Sequence, residues 1–97
     1  MQSRILVVGQ PMSGKSTFIH GLVLKCAEGG HSVAVFSTDD TLDDLLTWIR
    51  HHERVDTLIV EWQLSVRSSM VPEELKKNFE NKLGVTFGTV FRIEKIR

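Results

Sequence analysis

Arg4-Ile5-Leu6-Val7-Val8-Gly9-Gln10-Pro11-Met12-Ser13-Gly14-Lys15-Ser16-Thr17 is the stretch from which the rest of the chain is read. Arg4 to Val8 is a short apolar run rich in β-branched residues and closed by Gly9, the pattern of a strand buried on both faces. Beyond Ser16, the residues Phe18, Ile19, Leu22, Val23, Cys26 and Ala27 recur at intervals of three and four, which places one apolar stripe along a helix. Gly29 and Gly30 end that helix. A glycine-rich turn therefore joins a buried strand to an amphipathic helix.

The same alternation continues downstream. Ser32 to Ser37, with Val33-Ala34-Val35-Phe36 inside it, reads as a second strand followed by the polar turn Thr38-Asp39-Asp40. Thr41 opens a second helix, with Thr41 and Asp44 at nearly capping-box spacing; Leu42, Leu45, Leu46 and Ile49 form its buried stripe, and Trp48 flanks it. Thr57-Leu58-Ile59-Val60 is a third strand that runs directly into Glu61 and Trp62. Pro72 suits the first position of a third helix and Glu73 and Glu74 suit its positive end, with Leu75, Phe79 and Leu83 repeating every four residues before Gly84. Val85 to Ile96 reads as a fourth strand near an edge. Val85, Phe87, Thr89, Phe91 and Ile93 fall on one side of a period-two pattern, with more polar residues from Thr86 to Glu94 on the other. Strands alternating with helices predict an α/β fold: a small, mostly parallel sheet of about four strands, helices on both faces, right-handed crossovers. One compact domain over residues 1–97 is expected, since no Pro/Gly/Ser-rich linker divides the chain.

Composition narrows the function classes. With 41% hydrophobic and 25% charged residues the chain is neither disordered nor fibrous. Twelve basic and twelve acidic residues cancel, so it lacks the overall positive field that non-specific nucleic-acid binding draws on. Lys76, Lys77 and Lys82 are interleaved with Glu73, Glu74 and Glu80, as on a solvated helix face. Cys26 is the single cysteine, which rules out an internal disulfide, fits a reducing compartment and reads as an inert thiol on an apolar helix face. The longest apolar run near the start, Ile5 to Val8, is too short for a signal peptide or a membrane span. A soluble, cytoplasmic protein without membrane association is the expectation.

Gly9 to Ser16 matches G-x-x-x-x-G-K-S/T, and it stands where that motif's mechanism requires, between a buried strand and an amphipathic helix. The glycines at 9 and 14 let successive N–H groups point inward as a nest for phosphate oxygens, and the helix N-terminus adds about half a positive charge. Lys15 reaches the β- and γ-phosphates as a compact charge, the Ser16 hydroxyl ligates Mg²⁺ bridging them, and Thr17 is placed to hydrogen-bond the α-phosphate. The expected nucleotide-binding residues are Gly9, Gln10, Pro11, Met12, Ser13, Gly14, Lys15, Ser16 and Thr17. In this motif and its setting the chain resembles P-loop NTPases with a standard Walker A sequence, across about its first 62 residues. The resemblance implies the P-loop α/β fold, a nucleoside triphosphate with Mg²⁺ as ligands, and phosphoryl transfer or hydrolysis coupled to movement.

In that superfamily the third strand often ends in an acidic Walker B residue. Thr57-Leu58-Ile59-Val60-Glu61 has that form, with Glu in place of the commoner Asp. By resemblance Glu61 positions the Mg²⁺ hydration shell or orients an attacking water, and Ser16 and Glu61 become the candidate metal residues; a surface carboxylate at a strand end is the plainer alternative. Phe36-Ser37-Thr38-Asp39 is similar to the place after the second strand where RecA-type ATPases and replicative helicases carry a catalytic glutamate. Asp39 is one methylene shorter, so water activation stays open beside a role for Asp39 or Asp40 as a helix-flanking acid. Lys15, Asp39 and Glu61 are thus the candidate catalytic residues. Trp62 covers the site or a partner surface, or, as is commoner for tryptophan, sits half-buried in the core. His20, His31, His51 and His52 lack metal-site spacing.

The first functional expectation is a Mg²⁺-dependent NTPase that switches contacts with another macromolecule. ATP is expected over GTP because no N-K-x-D guanine-reading segment follows the last strand. Hydrolysis should be slow, since Arg67, Arg92 and Arg97 are trans-acting fingers only by elimination, and a protein partner or self-assembly would complete the site. A nucleotide-binding regulator with little catalysis is the alternative, motivated by the short length beyond the fourth strand. A small-molecule or nucleotide kinase ranks third, because no arginine-rich lid is evident.

Overall fold

The structure, a computed structural model, describes residues 2–10, 13–37, 42–63 and 72–93. Its elements are β1 (Ser3–Gly9), α1 (Lys15–Glu28), β2 (Val33–Ser37), α2 (Leu42–His51), β3 (Thr57–Gln63), α3 (Pro72–Leu83) and β4 (Thr89–Ile93). The four strands form one sheet in the order β2-β3-β1-β4, and every pairing is parallel. This is the expected α/β fold, with the sheet parallel throughout. Continuous apolar runs mark both central strands, β1 and β3, and the edge strand β2 as well. Leu6, Val7 and Val8 on β1 and Leu58, Ile59 and Val60 on β3 are fully buried, because helices cover both faces of the sheet.

Alternation along the strands divides the core in two. On one face Leu6, Val8, Leu58, Val60 and Phe36 meet Leu45 and Ile49 of α2, Phe79 of α3 and Phe87. On the other, Val7 and Ile59 meet Ile19 of α1, with Ile5, Phe18, Leu22, Val23, Phe91 and Ile93 packed around them. Burying each large apolar side chain contributes about 1.5–3 kcal/mol. α1 begins after Gly14, which is left-handed at φ 92°. It ends in a Schellman arrangement: Gly30 lies at φ 79°, its N–H donates to Ala27 O (3.0 Å), and the His31 N–H donates to Cys26 O (3.0 Å). Glycine fits both positions because a Cβ disfavours positive φ.

The C-terminal segment departs from expectation. β4 starts at Thr89 and Val85 to Phe87 are not strand, so the period-two pattern from Val85 to Ile93 does not lie on one face. Phe87 is fully buried on the α2/α3 side, edge-to-face with Phe79 at 6.1 Å, whereas Phe91 packs edge-to-face with Phe18 of α1 at 5.0 Å. The chain bends at Gly88, whose N–H donates to Arg4 O, so that Val85 and Phe87 before the bend serve one core and Phe91 and Ile93 after it the other. The edge position of β4 is as expected. The proposed helix start at Thr41 and the strand extension past Ile93 lie outside the described residues. Among the described residues no helix is long and apolar enough to cross a membrane.

Candidate functional site

All four strands point the same way, so their carboxyl ends share one edge of the sheet, and the glycine-rich loop leaves central β1 there. Gly9 is forced by contact. A Cβ at this position would lie 2.7 Å from Ser13 Oγ, 2.8 Å from the Ile93 carbonyl oxygen and 3.0 Å from Lys15 Cδ. Gly14 is forced by conformation instead, with open space around it at φ 92°. It turns the chain into α1, whose first turn closes with the Phe18 N–H donating to Gly14 O at 3.1 Å. Gly14 supplies no side-chain cap to this N-terminus and no acid stands in its first turn. The leading N–H groups and the positive end of the dipole therefore meet a cleft of about 330 Å³ lined by Ser13, Gly14, Lys15 and Ser16.

Two side chains give the cleft its polarity. Lys15 is buried and its Nζ donates to the Gln10 carbonyl oxygen at 3.0 Å, spanning the loop. The Ser13 hydroxyl is buried and has no hydrogen-bond partner among the described residues. A buried hydroxyl left unsatisfied costs about 1–3 kcal/mol, so such a group at a helix N-terminus fits a site built to receive acceptor oxygens. Ser16 and Thr17 are exposed in the first turn of α1.

Glu61 lies on β3 in register with Val7 of β1, hence on the α1 face of the sheet. It is half-buried, and its Oε2 accepts a hydrogen bond from Ser37 Oγ at 3.1 Å. Trp62, one residue on, points to the opposite face and packs edge-to-face on Phe79 at 4.8 Å, as a core residue. The structure thus gathers Gly9, Gln10, Ser13, Gly14, Lys15, Ser16 and Thr17 into one strand-to-helix turn, with Glu61 on the neighbouring strand. Pro11, Met12, Asp39 and Asp40 lie outside the described residues. The Ser16 hydroxyl and the Glu61 carboxylate are hard oxygen donors of the kind Mg²⁺ takes together with phosphate oxygens and water. Cys26 is half-buried and lines a separate cleft with His31 and Asp56 at the far end of α1.

Sequence reasoning missed two features. One is the Ile93 backbone pressing on Gly9; the other is Ser37 as the hydrogen-bond partner of Glu61. The glycine itself was the only signal for the first, and the second needs the β2–β3 register, which a single sequence does not carry.

No protein-family model and no curated protein matches the chain. Among solved structures, the crystal structure of APE1195 is similar, with a TM-score of 0.59 and 17% sequence identity over 93% of this chain and 59% of that one. The chain therefore spans somewhat more than half the length of that protein. At this identity the likeness shows a shared fold.

Proposed function

We propose that this chain binds a nucleoside triphosphate, with ATP the expected one, together with Mg²⁺, and hydrolyses it slowly as a switch toward a protein partner or further copies of itself. The observation that carries this reading is the turn from β1 to α1, where the leading helix amides, the Lys15 ammonium and a buried Ser13 hydroxyl without a partner among the described residues surround one cleft. Each of these three groups can donate hydrogen bonds or carries positive charge, which is the chemistry of phosphate recognition. Lys15 would exchange its bond to Gln10 O for phosphate oxygens. Ser16 and Glu61 would hold the cation, and Glu61 would also orient an attacking water. Bound there, Mg²⁺ supplies neutralisation of the charge developing on the phosphates. Asp39, which follows β2 in the sequence, is proposed as a second carboxylate for that water.

The test is phosphate release from ATP with Mg²⁺ across a range of protein concentrations, with the bound nucleotide recovered and identified. Turnover below about 10⁻² s⁻¹ is expected, as for nucleotide hydrolases without a supplied arginine, and it should rise as self-association completes the site. Brisk turnover independent of concentration would sink the assembly part. Bound ATP recovered intact after long incubation, with partner candidates present, would replace hydrolysis by purely regulatory binding.

A further inference from the structure

We propose that Ser37 is a positioning residue for Glu61, fixing the carboxylate that serves the divalent cation; this rests on the nucleotide reading above. Ser37 is the last residue of β2 and stands in register with Glu61 in a parallel ladder that runs unbroken from Val33 and Thr57. Residues in register share a face, so the hydroxyl is aimed at the carboxylate by the strands themselves. Its Oγ donates to Glu61 Oε2 at 3.1 Å. A glutamate side chain has rotamer freedom that is costly to freeze, and an unheld carboxylate would lose that freedom on taking up a cation. A donor on the β2 side removes part of the freedom in advance and leaves Oε1 and the remaining lone pairs of Oε2 as acceptors. Serine does this with one side-chain torsion of its own. Residues that hold a ligating group in this way change metal affinity by about 10–100-fold when removed.

The test compares wild type, Ser37→Ala, Ser37→Thr, Glu61→Gln and the Ser37→Ala/Glu61→Gln pair by calorimetric titration with a non-hydrolysable ATP analogue, with and without Mg²⁺. Ser37→Ala should weaken apparent Mg²⁺ affinity about tenfold, while leaving Mg²⁺-free nucleotide affinity and the ligand-free melting temperature at wild-type values. Ser37→Thr, which keeps the hydroxyl, should restore the Mg²⁺ effect. The double variant should lose no more than Glu61→Gln alone, because both changes remove one interaction. Full Mg²⁺ dependence in Ser37→Ala beside a defective Glu61→Gln overturns this inference alone, and so does additivity in the double variant. Failure of the wild type to bind the analogue overturns the nucleotide reading and this inference with it.

Discussion

Two glycines of one loop are required for different reasons, and substitution separates them. At Gly9 an added methyl meets backbone as well as side chain, the Ile93 carbonyl oxygen at 2.8 Å, so β4 or the loop must move. At Gly14 nothing is near and only the positive φ matters. Gly14→Ala should therefore cost about 1–2 kcal/mol, and Gly14→Asn less, because asparagine tolerates left-handed backbone. Gly9→Ala should cost more than either and should not be relieved by any choice of larger residue. Chemical denaturation of the three variants checks the order; equal losses at 9 and 14 would contradict the packing of β4 on the loop. The motif's spacing named both glycines from sequence. The distinction between them depends on where Ile93 comes to rest, and that is set by a strand more than eighty residues away along the chain.

Elements were legible where one pattern served one environment. β1, α1 and β3 follow from continuous apolar runs and a three-and-four stripe, and each boundary is marked by glycine or by a polar residue. The region after α3 misled because Val85 and Phe87 are apolar for the α2/α3 core and Phe91 and Ile93 for the α1 core, and the alternation continues across the bend at Gly88 as if it were one strand. At the opposite edge of the sheet from the loop, Ser32 and Asp56 bind each other reciprocally at the starts of β2 and β3. The Ser32 N–H donates to Asp56 Oδ2 at 2.9 Å and the Asp56 N–H donates to Ser32 Oγ at 2.9 Å. Hydrogen bonding by the Ser32 N–H and then its hydroxyl holds the Asp56 carboxyl below its ordinary value of 3.8, with nearby His31 adding to the effect. A carboxyl lowered in the folded state stabilises it above the ordinary value and loses that contribution as pH falls toward the folded one. The melting-temperature gap between wild type and Asp56→Asn should therefore be widest near neutrality and narrow below about pH 4. A gap that stays constant from pH 7 to pH 3 would show that the charge contributes nothing.

At the scale of the whole molecule, one parallel sheet does two jobs: its middle strands bury the core, and their carboxyl ends carry the candidate site. The α/β class was readable from the order of elements alone, and the fold is shared with APE1195. The candidate site was readable as far as its residues are contiguous in the chain, from Gly9 to Thr17. The part assembled between strands, Ser37 on Glu61, was not, since register arises only in the folded sheet. A chain of 97 residues has a narrow stability margin, so ligand binding should be visible as stability. The most direct measurement is a thermal-shift titration of wild type and Lys15→Ala with ATP, GTP and ADP, with and without Mg²⁺. Ligand at about 100 times its dissociation constant adds about 2.7 kcal/mol, a rise of roughly ten to twenty degrees for a domain of this size. The expected result is a Mg²⁺-dependent rise with ATP in wild type that Lys15→Ala loses. No rise with any nucleotide, or an equal rise in Lys15→Ala, would contradict a triphosphate site in this loop.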